Sequence, residues 1–233
     1  MKSKIKLLIA FLLCVLVLVA LFIPHLFVGL RSWSLENAVE HGDVAATARL
    51  LNSGANPNMP DDGFSPLMQA LQRRHDDVAH LLVDKGANVN AVGPFGNTPL
   101  LCADLSNINL VSYLIQCGAD VNAQNNLGRT ALISAAGDLQ ADGVHTLLVH
   151  GANPNAQDKD GQTALMQAIT AYHSHDKSEQ QKAIVKELLG MGAKIDIKDS
   201  KGEDAIMLAE KSQNSFLLSL MIGTKHITTR TIQ

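Results

Sequence analysis

The sequence predicts an all-α solenoid of about six helix-turn-helix repeats, preceded by one apolar N-terminal helix. Five Gly-Ala pairs each close an apolar helical stretch, and their glycines are 32, 32, 33 and 41 residues apart. A second motif of the form Gly-x-Ser/Thr-Pro/Ala-Leu recurs in step with these pairs. A fixed period of this kind indicates one supersecondary unit that is copied and stacked. The pairs are Gly54-Ala55, Gly86-Ala87, Gly118-Ala119, Gly151-Ala152 and Gly192-Ala193.

The second motif predicts where the first helix of each repeat begins. Thr98 is expected to cap this helix, and Pro99 to occupy its first position, where the missing N–H costs nothing. Leu132 and Ala135 lie three residues apart and predict an inward face. The small alanine on that face lets neighbouring repeats pack closely.

The second helix of each repeat is predicted to end at the glycine of the Gly-Ala pair. Gly151, for example, is expected to take a positive φ as a C-terminal cap. An Asn-x-Asn pair such as Asn153 and Asn155 then favours a tight loop, because asparagine side chains bond to nearby backbone.

These repeats resemble the ankyrin repeat. The resemblance rests on Asn97-Thr-Pro-Leu100 with Gly118-Ala-Asp-Val-Asn122, and on Gly128-Arg-Thr-Ala-Leu132 with Gly151-Ala-Asn-Pro-Asn155. It implies helical pairs joined by finger loops and a role in binding proteins. A solenoid offers a long surface and, by itself, no catalytic pocket.

The resemblance runs from about Trp33 to Ile222 and sets the expected domain boundaries. The first and last repeats are atypical, as capping repeats are. Repeat three lacks one residue between its helices, and repeat five has eight extra residues around 173–180. We predict a basic flank at 1–6, a transmembrane signal anchor at 7–30, a repeat domain at 33–222 and a disordered tail at 223–233. The expected repeats are 33–60, 61–93, 94–125, 126–158, 159–199 and 200–222.

The N-terminal segment has the composition of a membrane anchor. Residues 7–23 carry no charge, and the apolar stretch continues to residue 30 after Pro24. At 1.5 Å per residue, 24 residues cover about 36 Å, against a hydrocarbon core of ~30 Å. Three lysines before this stretch mark the cytoplasmic side, and Trp33 suits an interfacial position. We therefore expect a single-pass protein with its repeats outside the cytoplasm, in the periplasm of a bacterium.

A cleaved signal peptide is the alternative to an anchor, although no good small-residue cleavage site follows the apolar stretch. Cleavage would leave a soluble secreted or periplasmic protein. The family resemblance then favours an effector or a toxin-neutralising protein.

The charge balance and the motifs argue against several function classes. Beyond residue 30, the chain has 16 Lys and Arg against 22 Asp and Glu, so a phosphate-binding surface for nucleic acid is not expected. No nucleotide-binding loop, nucleophile elbow or zinc-protease motif is present. We predict no enzymatic activity, no cofactor, no bound metal and no small-molecule substrate.

Two small groups of reactive side chains leave alternatives open. His173, His175 and Asp176 could place two imidazoles near one ion, but a solvated loop explains them as well, because a tight site needs three or four ligands. Cys102 and Cys117 fall in one repeat, where free thiols and a disulfide are both conceivable.

The predicted interface follows from the resemblance. Ankyrin repeat proteins bind partners through their fingertips and the exposed end of each first helix. Phe64, Phe95 and Leu127 fall on consecutive fingers and would form an exposed apolar row, unless they pack against the neighbouring finger. The corresponding positions are Asp61, Asp62, Phe64, Gln72, Arg73, Pro94, Phe95, Asn97, Leu105, Asn126, Leu127, Arg129, Asp138, Lys159, Asp160 and Gln162.

Overall fold

The fold is the predicted all-helical repeat fold. The structure, a computed structural model, describes residues 35–59, 63–171, 178–212 and 214–221. These residues form α-helices, turns and one short 3₁₀ turn, without a β-strand among them. They fall into two compact units, with the boundary between Asn88 and Val89. We call them unit 1 and unit 2 and describe each by itself.

Unit 1 contains four helices, α1 to α4. They are α1 (residues 35–40), α2 (Val44–Asn52), α3 (Pro66–Gln72) and α4 (Asp76–Asp84). Helix α4 packs against both α2 and α3. The core between them is aliphatic, because its fully buried side chains include Leu35, Leu67, Leu71 and Leu82.

Unit 2 contains eight described helices and a 3₁₀ turn at Pro94–Gly96. The helices alternate as the first and second members of successive pairs. They are α5 (Pro99–Cys102), α6 (Ile108–Gln116), α7 (Ala131–Gly137), α8 (Ala141–Val149), α9 (Ala164–Thr170), α10 (Ser178–Gly190), α11 (Ala205–Lys211) and α12 (residues 215–221).

Helices in unit 2 stack on their counterparts in the next pair. The first helices α7, α9 and α11 pack in that order, and the second helices α6, α8 and α10 do the same. Helix α7 also packs on α8, and α9 on α10, within their own pairs. Contacts between adjacent pairs are what a stacked repeat requires.

The core has the residue types that the sequence predicts. Leu132, Ala135, Leu147 and Leu165 are all fully buried. Burying a leucine side chain contributes about 1.5–3 kcal/mol, so a few such residues per helix hold the pairs together. Small alanines on α7 and α9 allow these helices to approach closely, as expected.

Helix starts follow the predicted capping in most repeats. The hydroxyl oxygens of Thr130 and Thr163 accept the N–H groups of Ile133 and Met166, at 3.2 and 3.3 Å. Thr98 departs from this pattern, because its side chain makes no capping bond and its buried Oγ1 has no hydrogen-bond partner among the described residues. The predicted cap at Thr98 is therefore wrong.

The missing residue of repeat three shortens its first helix. Helix α5 ends at Cys102, and Ala103 is already extended, with ψ 152°. Asp104 then closes a turn by accepting the N–H and the hydroxyl of Ser106, at 3.0 and 2.7 Å. In the next repeat, the seven-residue α7 ends one residue before Asp138.

The loops after the second helices take the predicted form. Gly151 has φ 88°, in the left-handed region that favours glycine. Asn153 then accepts the N–H of Asn155 at 3.0 Å, which is the expected local bond.

The predicted anchor at 7–30, Trp33 and the tail at 223–233 all lie outside the described residues. Within the part that is described, no helix has the length and apolar character needed to span a bilayer.

Candidate functional site

The described part of unit 2 carries four five-residue fingers, each with a glycine of positive φ as its fourth residue. Each is closed by a hydrogen bond between its first N–H and its last carbonyl oxygen, from Gly93 to Asn97 in the first finger. The lengths of these bonds lie between 2.9 and 3.1 Å. The fingers occupy 93–97, 125–129, 158–162 and 199–203. The two residues before the glycine of each finger form its tip. We call the four tip pairs the fingertip rim: Pro94-Phe95, Asn126-Leu127, Lys159-Asp160 and Ser200-Lys201.

Backbone hydrogen bonds join the fingers in order along the rim. The N–H of Asn126 donates to the carbonyl oxygen of Phe95 at 2.8 Å, and the N–H of Lys159 to that of Leu127 at 2.9 Å. The N–H of Ser200 donates to the carbonyl oxygen of Asp160 at 2.8 Å. These bonds place each tip beside the next one and limit their relative movement.

Polar side chains hold three of the four fingers from within, whereas the first finger has Gly93 at the equivalent position. Oδ1 of Asp158 accepts the N–H groups of Asp160 and Gln162, at 3.0 and 2.9 Å. Asn125 and Asp199 make the same pair of bonds in their own fingers. The tips of these three fingers are thus fixed from within before any partner arrives.

Three predicted interface residues have side chains that contact an adjacent finger: Asn97, Gln162 and Arg129. Nδ2 of Asn125 donates to Oδ1 of Asn97 at 3.0 Å. Nε2 of Gln162 donates to Oδ2 of Asp199 at 2.7 Å. The half-exposed Arg129 stands 3.8 Å from the buried Asp158 carboxylate. Each of these three side chains thus contacts the neighbouring finger.

The apolar tips of the rim are exposed. Phe95 is 73% exposed and Leu127 is 60% exposed. The bond from Asn126 to Phe95 places these two side chains on adjacent fingers. Large exposed apolar side chains that sit close together are a feature of interaction surfaces.

Phe95 also has an unfavourable backbone conformation. Its φ is 60° and its ψ is 16°, in the left-handed region that favours glycine. It follows Pro94 in a turn in which the N–H of Gly96 donates to the carbonyl oxygen of Gly93 at 3.1 Å. A bulky residue with positive φ costs of order 1–3 kcal/mol and tends to occur where function requires it.

The other two tips are charged. Lys159, Asp160 and Lys201 are all exposed, and Lys159 and Lys201 make no ion pair with another described residue. The rim therefore changes from apolar to charged along its length. Among the predicted residues, Pro94 is half-buried and Asn126 is exposed.

Unit 1 holds a separate part of the predicted set. Phe64 is half-buried, and its carbonyl oxygen accepts Nε2 of Gln69 at 3.2 Å. Phe64 follows the glycine of its motif, so its register is that of Asn97 and not that of Phe95. Phe64 is therefore not a tip residue, and the predicted row of exposed apolar side chains does not include it.

The remaining predicted residues of unit 1 are polar. Gln72 and Arg73 are exposed at the end of α3, and Arg73 pairs with Glu40 at 2.5 Å. Asp61 and Asp62 lie outside the described residues.

Leu105 is a correction to the predicted interface. It is 5% exposed, equal to Leu139 of the next repeat, and its carbonyl oxygen faces Gly143 of α8. Because the first helix is shortened, Leu105 lies in the following turn, and its side chain is buried in the core. Leu105 is therefore not available to a partner. Asp138, at the end of α7, is exposed as expected.

The structure describes the two cysteines that the sequence analysis singled out, but not the group of histidines and aspartate. Cys102 is half-buried, Cys117 is exposed, and the two do not form a disulfide. The histidines and aspartate at 173–176 lie outside the described residues.

The sequence reading missed a ladder of asparagines that joins the repeats. Nδ2 of Asn122 donates to the carbonyl oxygen of Gly151 at 3.2 Å, while its Oδ1 accepts the N–H of Asn153 at 2.7 Å. Asn58, Asn90 and Asn155 make equivalent pairs of bonds. The available signal was an asparagine four residues after the glycine in four of the five Gly-Ala pairs.

Comparison with known proteins identifies the repeats. A family model described as "Ankyrin repeats (3 copies)" matches residues 35–125 and 100–178, and one described as "Ankyrin repeat" matches 160–200. Solved structures agree with this match. The crystal structure of the ankyrin repeat protein EF0377 has a TM-score of 0.75 and 25% identity, with 82% of this chain and 97% of that chain covered. An ankyrin repeat domain from Acinetobacter baumannii has a TM-score of 0.76 and 27% identity, with the same coverage.

Curated relatives match over shorter stretches. A 2-5A-dependent ribonuclease of Mus musculus is 36% identical over 74 residues, which is 31% of this chain and 10% of the relative. An ankyrin repeat protein of Monkeypox virus is 37% identical over 70 residues, or 30% of this chain and 12% of the relative. An ankyrin repeat-containing protein of Schizosaccharomyces pombe is 31% identical over 68 residues, which is 29% of this chain and 33% of the relative. The chain thus spans a third or less of the length of each of these relatives.

Proposed function

Because the chain belongs to the ankyrin repeat family, we propose that it is a non-enzymatic module that binds a protein partner through the fingertip rim of unit 2. Ankyrin repeats are a general protein-interaction module, and the rim gives this chain its own binding surface. The partner docks on Phe95 and Leu127, and the polar residues of the fingers surround that contact.

The observation that carries this proposal is the exposure of Phe95 and Leu127 on fingers that are fixed internally and to each other. A surface that is already ordered loses little conformational entropy when a partner binds. Large apolar side chains at the centre of an interface supply much of its binding energy. The strained backbone of Phe95 supports the same conclusion, because stability alone would favour glycine there.

Site-specific photo-crosslinking in intact cells tests the proposal. A benzophenone amino acid at position 127 is expected to capture one discrete protein, and Phe95→Ala is expected to abolish that capture. The same probe at position 149 is the control, because Val149 is 61% exposed on α8 but lies outside the rim. Equal capture at 127 and 149 would exclude a specific interface at the rim.

Purified variants separate binding from stability. Leu127→Ser is expected to weaken binding of the captured protein at least tenfold, with a thermal midpoint within about 2 °C of the parent, since the side chain is largely exposed. Val149→Ser matches it in exposure and is expected to leave binding unchanged. A large fall in the thermal midpoint of Leu127→Ser would instead indicate a structural role.

We also propose that the repeats stand outside the cytoplasm, held at the membrane by the apolar segment 7–30. The support is the length of that segment and the lysines before it. The proposal predicts that the protein from native membranes keeps its N-terminal residues in mass spectrometry and needs detergent for extraction. A mature N-terminus beyond residue 20 would replace the anchor with the alternative, a released effector or toxin-neutralising protein.

A further inference from the structure

We infer that the fingertip rim binds an extended peptide segment that carries an apolar side chain and, on one side of it, acidic side chains. This inference rests on the proposed function of the same rim and adds the chemistry and the orientation of the partner segment. It follows from the order of the four tip pairs, from the charges that they carry and from the contacts that join them.

The order of the tips is fixed by the backbone. The carbonyl oxygen of Phe95 accepts the N–H of Asn126, and that of Leu127 accepts the N–H of Lys159. The carbonyl oxygen of Asp160 accepts the N–H of Ser200. Phe95, Leu127, the Lys159-Asp160 pair and the Ser200-Lys201 pair are therefore consecutive neighbours. An extended segment that lies along this row meets the apolar tips at one end and Lys201 at the other.

The first two fingers are suited to an uncharged, apolar contact. Residues 93–97 contain no charged side chain, and Arg129 at the end of the second finger stands beside the Asp158 carboxylate at 3.8 Å. Phe95 and Leu127 are the exposed large apolar side chains of these tips. An apolar partner side chain that covers both removes apolar surface from water on each partner.

The last two fingers carry a small excess of exposed positive charge. Lys159 and Lys201 are exposed, Asp160 is the exposed acidic residue of these fingers, and the half-buried Glu203 is paired with Lys211. The carboxylates of Asp158 and Asp199 are buried and occupied by hydrogen bonds within the fingers. This excess contrasts with the acidic balance of the chain beyond residue 30 and favours a partner with carboxylates.

The charges orient the segment more than they tighten it. An exposed ion pair changes an equilibrium constant by up to about fivefold, so two lysines together account for up to about 25-fold. Reversal of the charge also introduces repulsion, which enlarges the effect. The apolar contact accounts for the remainder of the affinity.

Selection from a display library of random 12-residue peptides, against the full chain in detergent, tests the inference. The expected binders carry an apolar residue with two or more Asp or Glu on one side of it. Binding of the selected peptides, measured by fluorescence anisotropy, is expected to fall at least tenfold in Leu127→Ser. It is also expected to weaken when salt is raised from about 50 to 300 mM.

Charge-reversal variants identify the basic end of the rim. The double variant Lys159→Glu with Lys201→Glu is expected to weaken the selected peptides by tenfold or more. Lys186→Glu is the matched control, since Lys186 is exposed on α10 and outside the rim, and it is expected to change binding less than twofold. Circular dichroism of each variant checks that the fold is kept.

The outcomes separate this inference from the proposed function. Peptides that need Leu127 but show no acidic excess, or that tolerate the double lysine reversal, would overturn the inference and leave the rim as a protein-binding surface. A selection without rim-dependent peptides would overturn both. Rim-dependent sedimentation with phosphatidylserine vesicles, in the absence of such peptides, would assign the rim to a membrane surface and also overturn the inference.

Discussion

At the scale of single residues, two glycines with the same backbone conformation have different structural roles. Gly128 has φ 73° and Gly151 has φ 88°, so both lie in the left-handed region. A Cβ at Gly128 would lie 2.9 Å from the amide nitrogen of Lys159 in the next finger, whereas one at Gly151 would meet nothing within 4 Å. Gly151 is needed only for its φ, while Gly128 also allows adjacent fingers to approach.

This difference predicts unequal costs for the same substitution. Gly151→Ala should lower the free energy of unfolding by about 1 kcal/mol, the cost of alanine at positive φ. Gly128→Ala should lower it by about 2–4 kcal/mol, because the neighbouring finger must also move. Urea denaturation of the two variants measures both values. Equal losses would show that the fingers are not held in close contact.

At the scale of elements, the missing residue of repeat three changes how two helices pack. The short α5 places Leu105 in the turn, and its carbonyl oxygen approaches α8 at Gly143. A Cβ at Gly143 would lie 2.3 Å from that oxygen. A glycine in the middle of a helix normally reduces its stability, so the close approach explains why this one is tolerated.

The sign of a glycine-to-alanine change in a helix should therefore depend on the helix. Gly143→Ala should lower the free energy of unfolding by about 1–3 kcal/mol despite the better helix propensity of alanine. Gly190→Ala, at the end of α10 with open space around it, should be neutral or raise it by up to about 1 kcal/mol. Thermal and urea denaturation of both variants provide the comparison, and a stabilised Gly143→Ala would contradict the packing of Leu105.

At the scale of the whole molecule, stability should vary along the stack of unit 2. Helix α9 packs on α7, α10 and α11, so it is supported on both sides. Helix α12 is the last described helix of the unit. In a stacked repeat protein the stability is close to a sum over repeats and over the contacts between neighbours.

Hydrogen exchange should reveal that variation. Amides of α7 and α9 are expected to exchange most slowly, and those of α12 about 10- to 100-fold faster, since terminal helices open without disturbing the centre. Exchange followed by mass spectrometry of peptides from these helices measures the ratio. Uniform exchange throughout unit 2 would mean that it unfolds as one cooperative body.

Much of the repeat organisation could be predicted from the sequence, because it depends on local chemistry. The period of the Gly-Ala pairs gave the all-helical repeat fold, and the spacing of Leu132 and Ala135 identified an inward face that is indeed buried. Thr130 caps its helix, and Gly151 has a positive φ, as expected from residue preferences alone. The proposed anchor and the partner remain predictions.

The candidate site needed the tertiary structure, because its residues meet only through stacking of the fingers. Asn97 and Gln162 look like free polar side chains in the sequence, yet each bonds to the finger that follows it. Leu105 was predicted to be exposed, but it is buried because α5 is shortened. Sequence patterns determine which residues begin, end and line a helix. Contacts between consecutive repeats decide which fingertip side chains stay available to a partner. These contacts form only when the repeats are stacked, so the sequence of one repeat does not reveal them.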